Sequence, residues 1–323
     1  MEHLYTWILD GPAWIRYVVF SELLNLPPEN PRRIDAAQRM REDENICTLL
    51  SAIQGIEKTL LKRHNDAGHI LHKLAFLAEL GFNKEDPEIR AVILKILTHQ
   101  SEDGPFQILS NYPTRFGGSG LIEWLWALCD APTLTYALVR FGLQHDEHVR
   151  ASIEYMVNLV VENGWPCAAS KTLGKFKGPG KRSDPCPYAN LIMLKLLSAL
   201  PQGNYQNEIN IGIETLLNLW QNSLNQHPFL FRMGNDFRKL KVPFVWYDIL
   251  HVAEVLSRFP QCHNDQRFLE IVQIILSKAN NEGKFISESI WTKWKGWEFC
   301  QKKDPSRWVT TCVLRIQKRI ASP

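Results

Sequence analysis

The sequence predicts an all-α fold: an (α/α)6 barrel of six inner and about six outer helices, in a single domain over residues 1–323. Three observations predict it. Strongly apolar helical segments alternate with amphipathic ones, and a helix apolar nearly all round is buried while one with a polar face lies outside. The alternation recurs with a period near sixty residues, the mark of a repeated supersecondary unit. No stretch alternates with period two for long enough to argue a sheet.

The amphipathic copies are clearest at 86–106, 146–166 and 265–285, whose starts lie 60 and 119 residues apart. They open on Asp86, Asp146 and Asp265, each an N-cap residue type, and close on a Gly followed by an aromatic: Phe106, Trp165 and Phe285. A degenerate fourth copy runs over 208–231. Apolar segments precede them at 69–81, 131–142, 187–200 and 246–259, and two more stand at 13–26 and 306–320. The run 27–45 reads as a loop and the first outer helix. Inner-to-outer links are short, such as Gly81 to Asp86, whereas outer-to-inner links take about 20–25 residues. Long connections inside a compact domain are usually functional, and all of them should emerge where the inner helices begin.

Charge and aromatic content support a site at that end. The loops 164–186, 226–246 and 283–306 hold 14 basic and five acidic residues, an excess of nine on a chain of net charge +3. Inner-helix N-termini add partial positive charge. Together they suit an anionic small molecule, phosphate above all. Candidate ligand contacts are Lys181, Arg182, Arg238 and Lys241 for the charge, and Trp165, Trp246, Tyr247 and Trp297 for apolar surface. Tyr188 and Asp248, at the starts of the fourth and fifth inner helices, complete the set. Nothing points to nucleic acid. No apolar run reaches the roughly 18 residues needed to span a bilayer, and no cleaved signal is expected at the N-terminus. Seven cysteines without framework spacing fit a reducing cytoplasm.

Asp184 and Cys186 stand at the start of the fourth inner helix, and His251 lies 65 residues after Cys186, in the fifth. Oxygen, sulfur and nitrogen donors on adjacent helices make a three-ligand zinc site, with Cys167 as a candidate fourth ligand. Asp184, followed by Pro185, also suits a helix cap. Cys47, Cys129, Cys262, Cys300 and Cys312 show no pairing pattern and read as packing residues.

Gln100 to Phe106 matches the Gln-x3-Gly-x-aromatic repeat of triterpene cyclases once, and Gly164-Trp165 and Gly283-x-Phe285 are degenerate copies. Lys181, Asp184 and Cys186 follow the spacing of a basic residue before a zinc segment, with His251 close to the expected later position. On these residues the chain resembles the superfamily of protein prenyltransferase β-subunits and squalene/terpenoid cyclases. The resemblance implies an α/α toroid, zinc on Asp184, Cys186 and His251, a diphosphate contact from Lys181 and a prenyl diphosphate as ligand; it does not fix a partner subunit. The chain departs from these families in having no Asp-x-Asp-Asp and no Asp-Asp-x-x-Asp segment, and in Pro185 and Pro187 flanking Cys186. Two other classes stay open. One is a binding or scaffold protein docking an acidic partner. The other is a carbohydrate-active enzyme drawing two carboxylates from Glu102, Asp103, Asp130, Asp236, Asp248 and Glu298.

Overall fold

The computed structural model describes residues 2–114, 118–173, 184–228 and 231–321. Among them are thirteen α-helices and one two-stranded sheet, so the chain is mostly helical. It divides into two compact units. One takes residues 1–51, 234–244 and 248–323, and the other takes 52–233 with 245–247.

The first unit opens with α1 (Glu2–Leu9), α2 (Ala13–Val18), α3 (Pro31–Glu42) and α4 (Glu44–Ile53), the last ending at the unit boundary. The predicted segment 13–26 is helical, but it loosens after Val18 into a π turn over Val19–Leu23. The run 27–45 contains α3, which starts as its sequence asks: Asn30 accepts a hydrogen bond from the Arg32 amide, and Pro31 takes the first helical position.

The second unit carries α5 (Ile70–Glu79), α6 (Pro87–Leu97), α7 (Ala131–Leu138), α8 (Glu147–Val157), α9 (Pro187–Leu197) and α10 (Gln206–Gln221). Every residue of α7 and α9 is buried, and α5 exposes only Lys73 to any degree. By contrast α6 and α8 bury one stripe each, Ile89, Val92, Ile93 and Ile96 in the former. The buried helices α5, α7 and α9 pack side by side, with α8 against α7 and α10 against α9. A buried Lys195–Glu79 ion pair joins α9 to α5. Strands β1 (Ile108–Ser110) and β2 (Glu123–Leu125) pair antiparallel between α6 and α7. At three residues each they are too short for a period-two pattern to register in sequence, and so no sheet is predicted there.

Returning to the first unit, α11 (Ile249–Leu256) is wholly buried, α12 (Gln266–Leu276) is amphipathic, and α13 (Arg307–Ala321) ends the described chain. The predicted helix at 246–259 thus begins three residues late, because Asp248 serves as its N-cap. Helix α13 packs on α11, α2 and α1, which brings the two ends of the chain together in this unit. Ionic contacts secure it. Glu254, fully buried, receives Arg258 at 2.8 Å and Arg319 at 3.0 Å, while Arg315 pairs with Glu22 at 2.6 Å. No helix among the described residues is long and apolar enough to cross a membrane.

Candidate metal centre

Three short extended segments run beside one another in the second unit, and each carries one cysteine. The middle segment, 165–170, is clamped on both sides by backbone. On one side Leu128 donates to the Ala168 carbonyl and Ser170 donates to that of Trp126, both at 2.8 Å. On the other side Cys186 donates to the Trp165 carbonyl at 2.9 Å, and Pro166 bridges to Pro185. Cys129, Cys167 and Cys186 are thereby drawn together, their sulfurs all within 4.8 Å of one another. Cys129 and Cys186 are buried and Cys167 is partly so.

One side chain holds the clamp shut. Asn190, on the buried helix α9, accepts from the Trp165 amide at 3.0 Å and donates to the carbonyls of Trp165 and Cys186 at 2.9 and 2.8 Å. The chain turns into this arrangement through Gly164, whose φ of +105° is left-handed. A Cβ there would lie 2.5 Å from the Asn190 Oδ1 and the Thr215 Oγ1. Trp165 is fully buried and its indole N–H donates to the Met156 carbonyl at 2.9 Å. It packs the core beneath the cluster and is placed for support, not for ligand contact.

The sulfur geometry discriminates between fates for the cysteines. Cys129 and Cys186 sulfurs are 3.7 Å apart. A disulfide needs about 2.05 Å, and all seven cysteines are free thiols. Tetrahedral zinc–thiolate bonds of about 2.3 Å place neighbouring sulfurs about 3.8 Å apart. The cluster therefore has the spacing, the donor type and the burial to hold a metal ion. Its electrostatics agree. Hydrogen bonds from the Cys129 and Cys167 thiols hold Cys186 well below the usual thiol range in spite of its burial. Its contact with Cys129 acts to lower the Cys167 value, but the bond to Cys186 and burial outweigh that and push it up to about 12.

A second group is joined to the cluster through the backbone. Asp130, next in sequence to Cys129, faces the His64 Nδ1 with its carboxylate oxygens at 2.8 and 3.0 Å. Burial disfavours a charge on His64, yet the Asp130 carboxylate overrides it and raises the imidazole above its ordinary value. The His64 carbonyl is anchored by the His72 Nε2 at 3.0 Å, and the Tyr112 ring leans on the His64 ring at 6.0 Å. His64 and Cys186 lie near enough for each to feel the other's charge.

Of the four predicted metal ligands, Cys167 and Cys186 come together. Asp184 stands two residues from Cys186 but outside the sulfur group. It does not cap α9 either, because Cys186 occupies the N-cap position. Asp184 lines a cleft of about 1060 Å³ along α10, with Glu162, Asn210, Glu214, Asn218 and His227. His251 belongs to the first unit, where its ring stacks on Phe244 at 5.0 Å. Cys129, read from sequence as packing, is the third member of the cluster. A signal for it existed: like Cys186, it sits at the start of a strongly apolar helix, one repeat earlier.

The predicted ligand contacts separate in the same way. Lys181 and Arg182 lie outside the described residues. Tyr188, Trp246 and Tyr247 gather in the second unit. The Tyr188 hydroxyl donates to the Val245 carbonyl at 2.9 Å, its ring lies 4.3 Å from that of Trp246, and Phe231 contacts both Trp246 and Tyr247. Burial, and then the charge of Cys186, push the Tyr247 hydroxyl well up. In the first unit the Lys241 ammonium sits 3.3 Å from the Trp291 ring centroid, and desolvation lowers its pKa. Arg238 is half-buried nearby in sequence, and Asp248 caps α11 through the His251 amide at 2.9 Å. Trp297 packs among Trp14, Trp294 and Phe299 and is core.

No protein-family model matches the chain, and no curated protein matches its sequence.

Proposed function

We propose that this protein is a zinc-binding α/α toroid whose cysteine cluster leaves one coordination position open for a ligand. The observation that carries it is the convergence of three sulfurs from three separate segments to within 4.8 Å, at the edge spacing of a zinc–thiolate tetrahedron. Zinc is favoured over harder ions because all three donors are soft thiols. Support for the toroid comes from the alternation of wholly buried helices with one-sided ones, and from the packing of α13 against α1 and α2. Free thiols throughout suit a reducing, cytoplasmic setting.

In this reading Cys129, Cys167 and Cys186 hold the ion, and Asn190 keeps the middle segment in register. Zinc with an open position supplies Lewis acidity and lowers the pKa of a protic ligand. Tyr188, Phe231, Trp246 and Tyr247 supply apolar surface in the same unit. The loop lysines and arginines, read from sequence, would supply charge for an anionic head such as a diphosphate. A prenyl diphosphate, the ligand class the family resemblance implies, combines the two.

Metal analysis of purified variants tests the site. One zinc per chain is expected in the parent protein, close to none in Cys129→Ser and Cys186→Ser, and full occupancy in His251→Ala and Asp184→Asn. Loss of zinc from the latter pair, with retention in Cys129→Ser, would replace this ligand set by the one expected from the resemblance. Tryptophan fluorescence titration with a prenyl diphosphate tests the ligand separately. Saturable quenching that weakens in Trp246→Ala is expected, and no change in emission would reject that ligand class.

A further inference from the structure

We infer that His64, held by Asp130, is the positioning residue of the open coordination position and hydrogen-bonds the protic ligand that occupies it. The inference rests on the three-cysteine reading and goes beyond it, since neither His64 nor Asp130 belongs to the sulfur group.

Four observations carry it. First, the Asp130 carboxylate meets the His64 Nδ1 through both oxygens, at 2.8 and 3.0 Å. A carboxylate is acceptor-only, so Nδ1 carries a proton and Nε2 is the ring nitrogen left to meet a ligand. Second, Asp130 is bonded directly to Cys129 in the chain, so the imidazole is tied to a metal-ligating segment through one peptide link and one hydrogen-bonded pair. Third, exposure differs across the pair: the Asp130 side chain is 3% exposed and that of His64 28%. The carboxylate is buried behind the ring, and the ring is reachable from solvent, as a group meeting an incoming ligand must be. Cys129 and Cys186 are buried, so Cys167 is the most accessible of the three sulfurs. Fourth, the His72 Nε2 ties down the His64 backbone carbonyl at 3.0 Å, and the Tyr112 ring lies 6.0 Å from the imidazole, tilted by 47°.

An outer-shell imidazole of this kind differs from a fourth ligand. A fourth ligand would close the site as a structural Cys3His set, whereas a positioning residue leaves it open. The ligand class that fits is an alcohol, thiol or water, whose oxygen or sulfur can meet the metal and hydrogen-bond Nε2 whether the ring accepts or donates.

Cobalt(II) substitution distinguishes the possibilities, using the metal alone and 2-mercaptoethanol as the protic probe. In the parent protein, Co²⁺ should give thiolate charge-transfer bands and tetrahedral d–d bands, and the d–d envelope should shift on saturable binding of the probe. His64→Ala should bind Co²⁺ with affinity within threefold of the parent but hold the probe about tenfold more weakly, in the range outer-shell changes produce. His64→Gln, which keeps a hydrogen-bonding side chain, should recover part of that loss. Asp130→Asn should behave like His64→Ala. Unchanged probe affinity in His64→Ala would overturn the inference and leave the cysteine site standing. Loss of Co²⁺ from His64→Ala as severe as from Cys186→Ser would make His64 a ligand and overturn it too. Failure of the parent protein to bind Co²⁺ would instead reject the cysteine site itself.

Discussion

Two N-cap positions, Cys186 before α9 and Asp248 before α11, show what a helix start can be used for. Asp248 does ordinary work: its Oδ1 accepts from the His251 amide at 2.9 Å. Cys186 occupies the same position and makes no side-chain cap hydrogen bond. Its sulfur instead meets Cys129 at 3.7 Å, and its amide is spent on the Trp165 carbonyl. An N-cap side chain that does not cap is available for chemistry, and a sulfur is the poorer cap and the better metal ligand. The difference lies in partners. Asp248 answers to its own helix, whereas Cys186 answers to segments 19 and 57 residues earlier in the chain.

The largest expected effect breaks the comparison from the Cys186 side. Cys186→Ser should abolish zinc binding while leaving the metal-free protein's urea midpoint almost unchanged, because no cap is lost. Next, Asn190→Leu removes three buried hydrogen bonds, two of which join the Cys167 segment to α9. At about 1 kcal/mol each it should cost about 3 kcal/mol in urea unfolding and weaken zinc binding at least tenfold.

Asp248 gives a prediction in pH. Burial raises its pKa from 3.8 to about 7. Between those values the folded state keeps a proton that the unfolded state has released, so stability should fall as pH rises from about 4 to about 7 and then level off. Asp248→Asn keeps a capping side chain and removes the ionisation, and should abolish that decline, on the order of 4 kcal/mol across the interval. The smallest effect tests an ordinary cap. Asp146 accepts from the His148 and Val149 amides, and Asp146→Ala should cost about 1 kcal/mol with zinc binding intact.

How much was legible in sequence follows the same division between local and distant partners. The buried helices announced themselves by apolar content, and Asp146 and Asp265 marked the starts of α8 and α12 because capping is decided within four residues. Asp184 misled for the same reason: Asp before Pro has the local form of a cap, but the helix begins two residues later. Cys129 reads as packing because its partners are brought to it by backbone bonds at Leu128 and Cys186, and its one sequence signal is its place at the start of an apolar helix, a repeat before Cys186. The His64–Asp130 pair, 66 residues apart, was silent. Trp165 shows the reverse error. Its aromatic character in a basic loop reads as ligand surface, while its recurrence after a repeat glycine reads as core, and the structure buries it fully.

X-ray absorption at the zinc edge of the reconstituted protein tests the central claim most directly. Three sulfur scatterers at about 2.3 Å are predicted. A single sulfur accompanied by oxygen and nitrogen scatterers at about 2.0–2.2 Å would contradict it, and would return the site to Asp184, Cys186 and His251.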